Sequence, residues 1–113
     1  MNILQSLFGP PMPSVSSAEL NEKLKAPKRP FVLDVRRADE FRTGHIIGAK
    51  LIPLNELGRR LEELPRNREI VCVCASGNRS RSATKMLIRA GYNAINMKGG
   101  MASWSGNGFT MKK

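Results

Sequence analysis

The residue types best suited to covalent chemistry in this sequence are two cysteines, Cys72 and Cys74, in a chain that also carries one histidine, His45. Two thiols and one imidazole are at most three ligands, fewer than the four that a structural zinc site usually needs. One pair of cysteines is also too few for a disulfide framework. We therefore predict no resident metal or other cofactor, and a reduced cysteine that acts as a nucleophile.

Cys74 ends segment 70–74, which is apolar on both faces, as a strand inside a parallel sheet must be. Small and polar residues follow at 75–78, and apolar residues then recur at helical spacing over 80–90. In an open parallel sheet, ligands bind beyond the carboxyl ends of the strands, where the free N–H groups of the next helix also point. Together with the nearby Arg79, this position favours a Cys74 thiolate near neutral pH. Cys72, two residues earlier, is interpreted as a core cysteine.

Strands and helices alternate along the chain. Ser16 and Glu19 belong to a capping box that opens a helix, and Pro27 and Pro30 end it. Hydrophobic periodicity predicts helices over 17–25, 54–64, 80–90 and 101–104, and strands over 31–35, 50–52, 70–74 and 94–97. Such alternation indicates an α/β domain with a mostly parallel sheet.

The length of 113 residues allows one domain. Residues 1–14 include the stiff segment Gly-Pro-Pro-Met-Pro and are predicted to form an N-terminal extension, followed by the domain over 15–113. No apolar run approaches the ~20 residues of a membrane span, and no basic residue precedes Lys23, so neither a membrane anchor nor a secretory leader is expected. The predicted location is cytoplasmic, and the oligomeric state stays open.

The charges are unevenly distributed in this chain of net charge +10. Residues 70–113 hold seven Lys or Arg and no Asp or Glu, so this part of the chain attracts anions. An anionic substrate, an acidic partner or nucleic acid would each fit, as would a basic face that only aids solubility. Nucleic acid is not favoured, because the six aromatic residues do not alternate with basic ones.

Five segments carry a resemblance that covers about 85 residues in the right order. They are the loop at 74–80, Asp-Val-Arg at 34–36, the segment Glu-Phe-Arg-Thr-Gly-His-Ile-Ile-Gly-Ala at 40–49, Gly-Tyr at 91–92, and Gly-Gly-Met with a tryptophan at 99–104. In residue type and spacing they resemble the rhodanese family, the thiosulfate and persulfide sulfurtransferases.

The resemblance implies a rhodanese-like α/β fold, in which a mostly parallel central sheet of about five short strands has helices on both faces. It also implies that Cys74 takes a sulfane sulfur from a small anionic donor such as thiosulfate. The resulting persulfide would pass this sulfur to cyanide, to a thiol or to a protein acceptor. The loop would bind the donor, with Arg79 paired to the anion. The candidate binding residues are Ala75, Ser76, Gly77, Asn78, Arg79 and Ser80.

Three further residues have supporting interpretations. Asp34 and Arg36 follow a strand end, and we predict that they brace the loop from beneath by an ion pair. His45 has the chemistry of a general base, but attack by a thiolate needs none. We therefore expect a structural hydrogen bond from His45.

Two alternatives stay open at this point. A persulfide carrier or docking module for a sulfur-relay partner would use the same Cys74. Phosphatases and arsenate reductases of the same fold resemble this chain in placing a cysteine before an arginine. The phosphatase loop has five residues between the two, whereas four residues, Ala75 to Asn78, separate Cys74 from Arg79 here.

Overall fold

A computed structural model describes residues 12–113, and residues 1–11 of the predicted extension lie outside the described part. The strands are Ser14–Val15 (β1), Phe31–Asp34 (β2), Lys50–Leu51 (β3), Ile70–Val73 (β4) and Ala94–Met97 (β5). The helices are Ser17–Lys23 (α1), Ala38–Thr43 (α2), Leu54–Leu57 (α3), Asn78–Arg89 (α4) and Gly100–Gly106 (α5), with a 3₁₀ turn at Leu61–Glu63. None of these helices is both long and apolar enough to cross a bilayer.

The five strands form one parallel sheet in the order β1-β5-β4-β2-β3, with β4 at its centre. Cys72 in β4 pairs with Leu33 on one side and with Asn96 on the other. Cys74 therefore leaves the carboxyl end of the central strand. The predicted α/β architecture and its mostly parallel sheet are confirmed.

Each face of the sheet packs on its own hydrophobic core, which accounts for helices on both faces. One core joins the sheet to α3 and α4 through fully buried residues such as Leu57 and Leu87. The other core joins it to α1 and α5 through Leu20 and Trp104. Because β4 contributes to both cores, every residue of this strand is buried.

The prediction of one continuous helix over 54–64 is wrong. The chain forms one α-helical turn, α3, breaks at Arg60 with φ −127°, and resumes as the 3₁₀ turn Leu61–Glu63. Gly58 lies at the break, where a glycine costs roughly 1 kcal/mol of helix stability relative to alanine. The leucines that suggested one helix still face the core, since Leu57 and Leu64 are buried.

The sheet has an edge strand that the sequence analysis did not predict. β1 pairs with β5 in parallel, and the Pro13 carbonyl accepts a hydrogen bond of 2.9 Å from the Asn96 N–H. Ser14, which the sequence analysis assigned to the extension, is thus part of the sheet. The capping box that follows is confirmed, because the Ser16 hydroxyl accepts from the Glu19 N–H and the Glu19 carboxylate accepts from the Ser16 N–H.

Candidate active site

A short loop carries Cys74 from the end of β4 to the start of α4. The Cys74 sulfur accepts a hydrogen bond of 3.1 Å from the Gly77 N–H and one of 3.3 Å from the Ser80 N–H. The Ser80 hydroxyl also lies 3.3 Å from this sulfur and donates to its thiolate form. The helix begins at Asn78 rather than at Ser80 as predicted. The first turn of α4 therefore points its free N–H groups at the thiol.

These donors change the acidity of Cys74. Burial by itself raises the pKa of its thiol, because an apolar environment disfavours the thiolate. The hydroxyl and N–H of Ser80, followed by the N–H groups of Gly77 and Ser76, outweigh burial and hold the pKa of Cys74 below its usual value. The arrangement favours a nucleophilic thiolate.

Cys72 has the opposite environment. Its side chain is fully buried, and this burial raises the pKa of the Cys72 thiol to about 12, although the Thr84 hydroxyl lowers it in part. Cys72 is therefore a neutral core thiol, as the sequence analysis expected. The Thr84 hydroxyl donates a hydrogen bond to the Ser80 carbonyl, and so holds the first turn of α4 in place.

The beginning of α5 supports the loop from the other side. The Met101 N–H donates to the Cys74 carbonyl over 2.8 Å, and the Ala102 N–H donates to the Ala75 carbonyl over 3.0 Å. Gly100 makes this approach sterically feasible, because a Cβ there would lie 2.5 Å from the Ala75 carbonyl oxygen and would overlap the Cys74 carbonyl. The spacing of apolar residues predicts strand 94–97 and helix 101–104, but no local pattern predicts that Gly100, between them, contacts the loop.

Gly77 is where the loop turns into the helix. Its φ of 105° is a left-handed conformation that side chains rarely adopt, and a Cβ there would lie 3.2 Å from the Gly99 nitrogen. The Gly77 carbonyl accepts from the Arg81 N–H and, over 3.4 Å, from the Asn96 side-chain amide. Asn96 is buried in β5, and sequence reasoning missed its role. The available signal was a polar residue inside an otherwise apolar strand.

The Arg79 side chain extends from α4 and forms an ion pair with the carboxylate of Glu40. Its guanidinium donates two hydrogen bonds to Glu40, of 2.7 and 2.8 Å. This contact, together with the Arg37 N–H, lowers the pKa of Glu40 to about 2 although burial opposes the shift. The sequence analysis expected Arg79 to pair with an anionic donor, and did not identify Glu40 as its partner in the folded chain.

The predicted ion pair between Asp34 and Arg36 is present and buried, with Nη2 and Oδ2 2.8 Å apart. The second contact of Arg36 differs from the prediction. Its guanidinium donates to the Gly44 carbonyl over 2.8 Å. The pair therefore ties the end of β2 to the end of α2, and Arg36 approaches the Cys74 loop as part of the wall of the cleft beside Ala75.

The remaining candidate residues, Ala75, Ser76, Asn78 and His45, differ in their exposure to solvent and in their contacts. Ala75 is half-buried, whereas the side chains of Ser76 and Asn78 are exposed at the protein surface. His45 Nδ1 donates to the Phe41 carbonyl over 2.8 Å, and its ring stacks on that of Phe41. His45 thus makes the structural hydrogen bond that we expected.

Two clefts lie beside the loop, one lined in part by Arg79 and the other by Ala75. One has a volume of about 360 Å³ and the other of about 280 Å³. The larger is lined by Val35, Arg37, Pro53, Leu54, Asn55 and Arg79. The smaller includes Arg36, Gly44, Ala75, Met101 and Met111 in its lining. Within residues 12–113, no three His, Cys, Asp or Glu side chains lie close enough together to hold a metal ion.

A family model described as the rhodanese-like domain matches residues 16–107. The chain belongs to this family. The rhodanese-like domain is 35% identical over 92 residues to "Putative sulfurtransferase YtwF" of Bacillus subtilis, an alignment that covers 81% of this chain and 89% of that protein. It is 35% identical over 96 residues to "Putative sulfur carrier protein YrkF" of the same organism, covering 84% of this chain and 52% of that protein.

A solved structure agrees with this assignment. The crystal structure of a rhodanese-related protein from Thermoplasma volcanium matches the rhodanese-like domain with a TM-score of 0.83 and 35% identity, over 88% of this chain and 97% of that one. The sequence-based recognition of the family is therefore confirmed. The relatives define a family of sulfurtransferases and sulfur carriers.

The hydrogen bonds to the Cys74 sulfur predict a measurable pH dependence. Because its pKa is lowered, the thiolate forms at lower pH than in an ordinary cysteine, and alkylation of Cys74 by iodoacetamide is expected to reach its half-maximal rate at correspondingly lower pH. Ser80→Ala removes the hydroxyl donor and is expected to move this midpoint upward. Mass spectrometry of the Cys74 peptide measures the rate. Ser82→Ala, on the exposed face of α4, is the matched control. An unchanged midpoint in Ser80→Ala would show that the Ser80 hydroxyl does not lower the pKa of Cys74.

Proposed function

We propose that this rhodanese-like domain transfers a sulfane sulfur from thiosulfate, or from another persulfide donor, to a thiophilic acceptor through a persulfide on Cys74. The observation that carries the proposal is the set of donors around one sulfur atom, from the Gly77 N–H and from the N–H and hydroxyl of Ser80. They stabilise a negatively charged sulfur at the carboxyl end of the central strand.

In the first half-reaction, the Cys74 thiolate attacks the outer sulfur of thiosulfate. A new S–S bond forms, the S–S bond of the donor breaks, and sulfite leaves with the bonding electron pair. The product is a Cys74 persulfide. The N–H groups of the loop remain available to its negative terminal sulfur, so the same donors serve the thiolate and the persulfide.

In the second half-reaction, the acceptor attacks the terminal sulfur of the persulfide. Cyanide gives thiocyanate and a thiol gives a new persulfide, and in both cases the Cys74 thiolate leaves and is regenerated. Cyanide and a thiol acceptor both react as anions, the thiol after losing its proton to solvent, and Cys74 attacks the donor as a thiolate. No general base on the protein is therefore needed, which agrees with the structural role of His45. The two clefts beside the loop are the routes we assign to donor and acceptor.

A persulfide carrier is the second candidate function, and it is supported by the similarity to a relative named as a sulfur carrier. A carrier would form the same Cys74 persulfide but would turn over slowly with small acceptors. The phosphatase and arsenate reductase alternatives receive less support, because four residues rather than the five of the phosphatase loop separate Cys74 from Arg79, and the relatives are named as a sulfurtransferase and a sulfur carrier.

The test is the intact mass of the purified protein before and after incubation with thiosulfate, followed by cyanide. We expect a gain of one sulfur, about 32 Da, which cyanide removes as thiocyanate. Catalytic thiocyanate formation would indicate an enzyme, whereas a stoichiometric gain without turnover would indicate a carrier. No gain with thiosulfate or with a low-molecular-weight persulfide would refute the persulfide mechanism.

The pair formed by Arg79 and Glu40 predicts a specific pattern in a double-mutant cycle. Arg79→Ala removes the guanidinium that neutralises Glu40 and leaves this carboxylate with only its contacts to Arg37. The repulsion of an anionic donor increases, and kcat/KM for thiosulfate is expected to fall roughly 10–100-fold. Adding Glu40→Gln to Arg79→Ala removes the repulsive charge and is expected to restore part of this loss. Alkylation of Cys74 by neutral iodoacetamide is the control reaction. Additive effects of the two substitutions would show that the pair does not act on the donor as a unit.

A further inference from the structure

One face of α4 combines positive charge with an exposed apolar residue next to the catalytic loop. Arg81, Lys85 and Arg89 recur at intervals of four residues and are exposed to solvent, and Ile88 lies among them with 42% of its surface exposed. We call these four residues the α4 stripe. Its first residue lies one helical turn after Gly77, so the stripe begins at the catalytic loop and leads away from it.

The charge of the α4 stripe has no acidic partner within the chain. None of the ion pairs among residues 12–113 includes Arg81, Lys85 or Arg89. All nine acidic residues of the sequence lie between Glu19 and Glu69, so residues 1–11 cannot supply a counter-charge either. Because nothing compensates these charges, the stripe attracts an external negative surface.

A groove runs along the α4 stripe. Its volume is about 490 Å³, and its lining includes Arg81, Lys85, Arg89, Met86 and Met12. The two methionines add flexible apolar surface beside the charged side chains. Arg89 lies eight positions after Arg81, so the three charges extend over about 12 Å of the helix. This span exceeds the size of a single small anion and matches a macromolecular surface.

We propose that the α4 stripe docks the acidic face of a protein that receives sulfur from Cys74. This inference rests on the proposed function, and it names the class of acceptor. A protein is favoured over nucleic acid because Ile88, Met86 and Met12 offer aliphatic contacts, and no aromatic ring among residues 12–113 lines the groove for base stacking. The docked protein would present a cysteine to the loop at the start of the helix.

The transfer step is balanced without any further reactant. The thiolate of the docked protein attacks the terminal sulfur of the Cys74 persulfide, and a new S–S bond forms on the acceptor. The S–S bond at Cys74 breaks, and its electron pair stays on the Cys74 thiolate. Docking raises the rate by increasing the local concentration of the acceptor thiol, not by changing the chemistry.

The test uses peptide acceptors with one cysteine each and a length of about 20 residues. One peptide is rich in glutamate, and the other has glutamine in place of every glutamate. The full chain is first loaded with thiosulfate, and single-turnover transfer from Cys74 is followed by mass spectrometry. We expect the acidic peptide to accept sulfur at least about tenfold faster at low salt, and this preference to vanish at about 1 M salt.

A pair of matched variants locates the effect. Arg81→Gln/Lys85→Gln/Arg89→Gln is expected to abolish the preference for the acidic peptide while leaving transfer to uncharged dithiothreitol unchanged. Lys25→Gln/Lys28→Gln/Arg29→Gln removes the same amount of charge at residues that precede β2, at the opposite end of the sheet from Cys74, and is expected to retain the preference. Equal loss in both variants would mean that net charge alone acts, and would overturn the proposal.

Three further outcomes distinguish the docking proposal from the proposed sulfur transfer and from binding of nucleic acid. Normal loading and transfer to dithiothreitol, with equal rates for the two peptides, would overturn the docking surface and leave the proposed function intact. Failure of the full chain to load with thiosulfate and with a low-molecular-weight persulfide would overturn the proposed function and this inference with it. Stronger inhibition of transfer to the acidic peptide by an oligouridylate of about 12 nucleotides than by a cysteine-free copy of that peptide would assign the stripe to nucleic acid, provided that the stripe variant loses this inhibition.

Discussion

Cys74→Ser is expected to lower thiosulfate:cyanide sulfurtransferase activity by at least about 10³-fold and to abolish the mass gain with thiosulfate. A serine hydroxyl in this position keeps its proton near neutral pH, because the donors that stabilise a thiolate cannot shift so weak an acid far enough. The replacement oxygen can still accept from the Gly77 and Ser80 N–H groups. The fold should therefore persist, and circular dichroism and thermal unfolding check this point.

Cys72→Ala is the matched control for the loss in Cys74→Ser. Cys72 is fully buried, with a pKa of about 12, and lies two residues from the proposed nucleophile. Its truncation leaves a small cavity and is expected to cost about 1 kcal/mol of stability while sulfur loading continues. Full activity of Cys74→Ser would refute the assignment of the nucleophile. A mass gain that persists in Cys74→Ser and disappears in Cys72→Ala would instead assign the persulfide to Cys72.

Gly100→Ala is expected to lower kcat/KM about 10²-fold although residue 100 touches neither donor nor acceptor. The added Cβ would meet the carbonyl groups of Cys74 and Ala75, so the start of α5 and the loop must separate. A displacement of about 1 Å at a reacting atom is enough for such a loss. The φ of 55° adds roughly 1–2 kcal/mol of backbone strain, and we expect Tm to fall by roughly 5–15 °C.

Gly106→Ala provides the control at the other end of the same helix. A Cβ at Gly106 meets nothing within 4 Å, so both Tm and activity are expected to stay near those of the unmodified protein. The pH midpoint of Cys74 alkylation separates loop damage from general instability, because a displaced loop loses its N–H contacts with the sulfur. If folded Gly100→Ala keeps the original midpoint and activity, α5 does not position the loop.

Local physical chemistry explains why the sequence was enough to predict the position of the Cys74 loop. A strand buried on both faces must be apolar throughout, and the residue that follows it at the carboxyl edge is open to ligands. Segment 70–74 shows this pattern, and the capping box at Ser16 and Glu19 is likewise a short-range signal within one turn of helix. Such features need no knowledge of distant residues.

Contacts between distant residues were not predictable in the same way. Arg79 meets Glu40 across 39 residues, and the start of α5 reaches the Cys74 carbonyl from the end of the chain. The two-residue strand β1 carries too short a pattern for recognition, and it exists because β5 offers a free edge. The helix predicted over 54–64 is two shorter turns in the structure, with the break between Gly58 and Arg60. Hydrophobic periodicity did not reveal this break, because Leu57 and Leu64 are buried in either arrangement.

Residue types, their spacings and the order of segments along the chain were enough to predict the α/β class, the family, a nucleophile at Cys74 and the accumulation of positive charge after residue 70. The folded structure was needed to show which groups reach the sulfur, that Arg79 is paired, that Gly100 admits α5 to the loop, and that the α4 stripe lacks a counter-charge. The reason is that side-chain partners and close backbone approaches depend on how the elements pack, and packing joins residues that no local pattern connects.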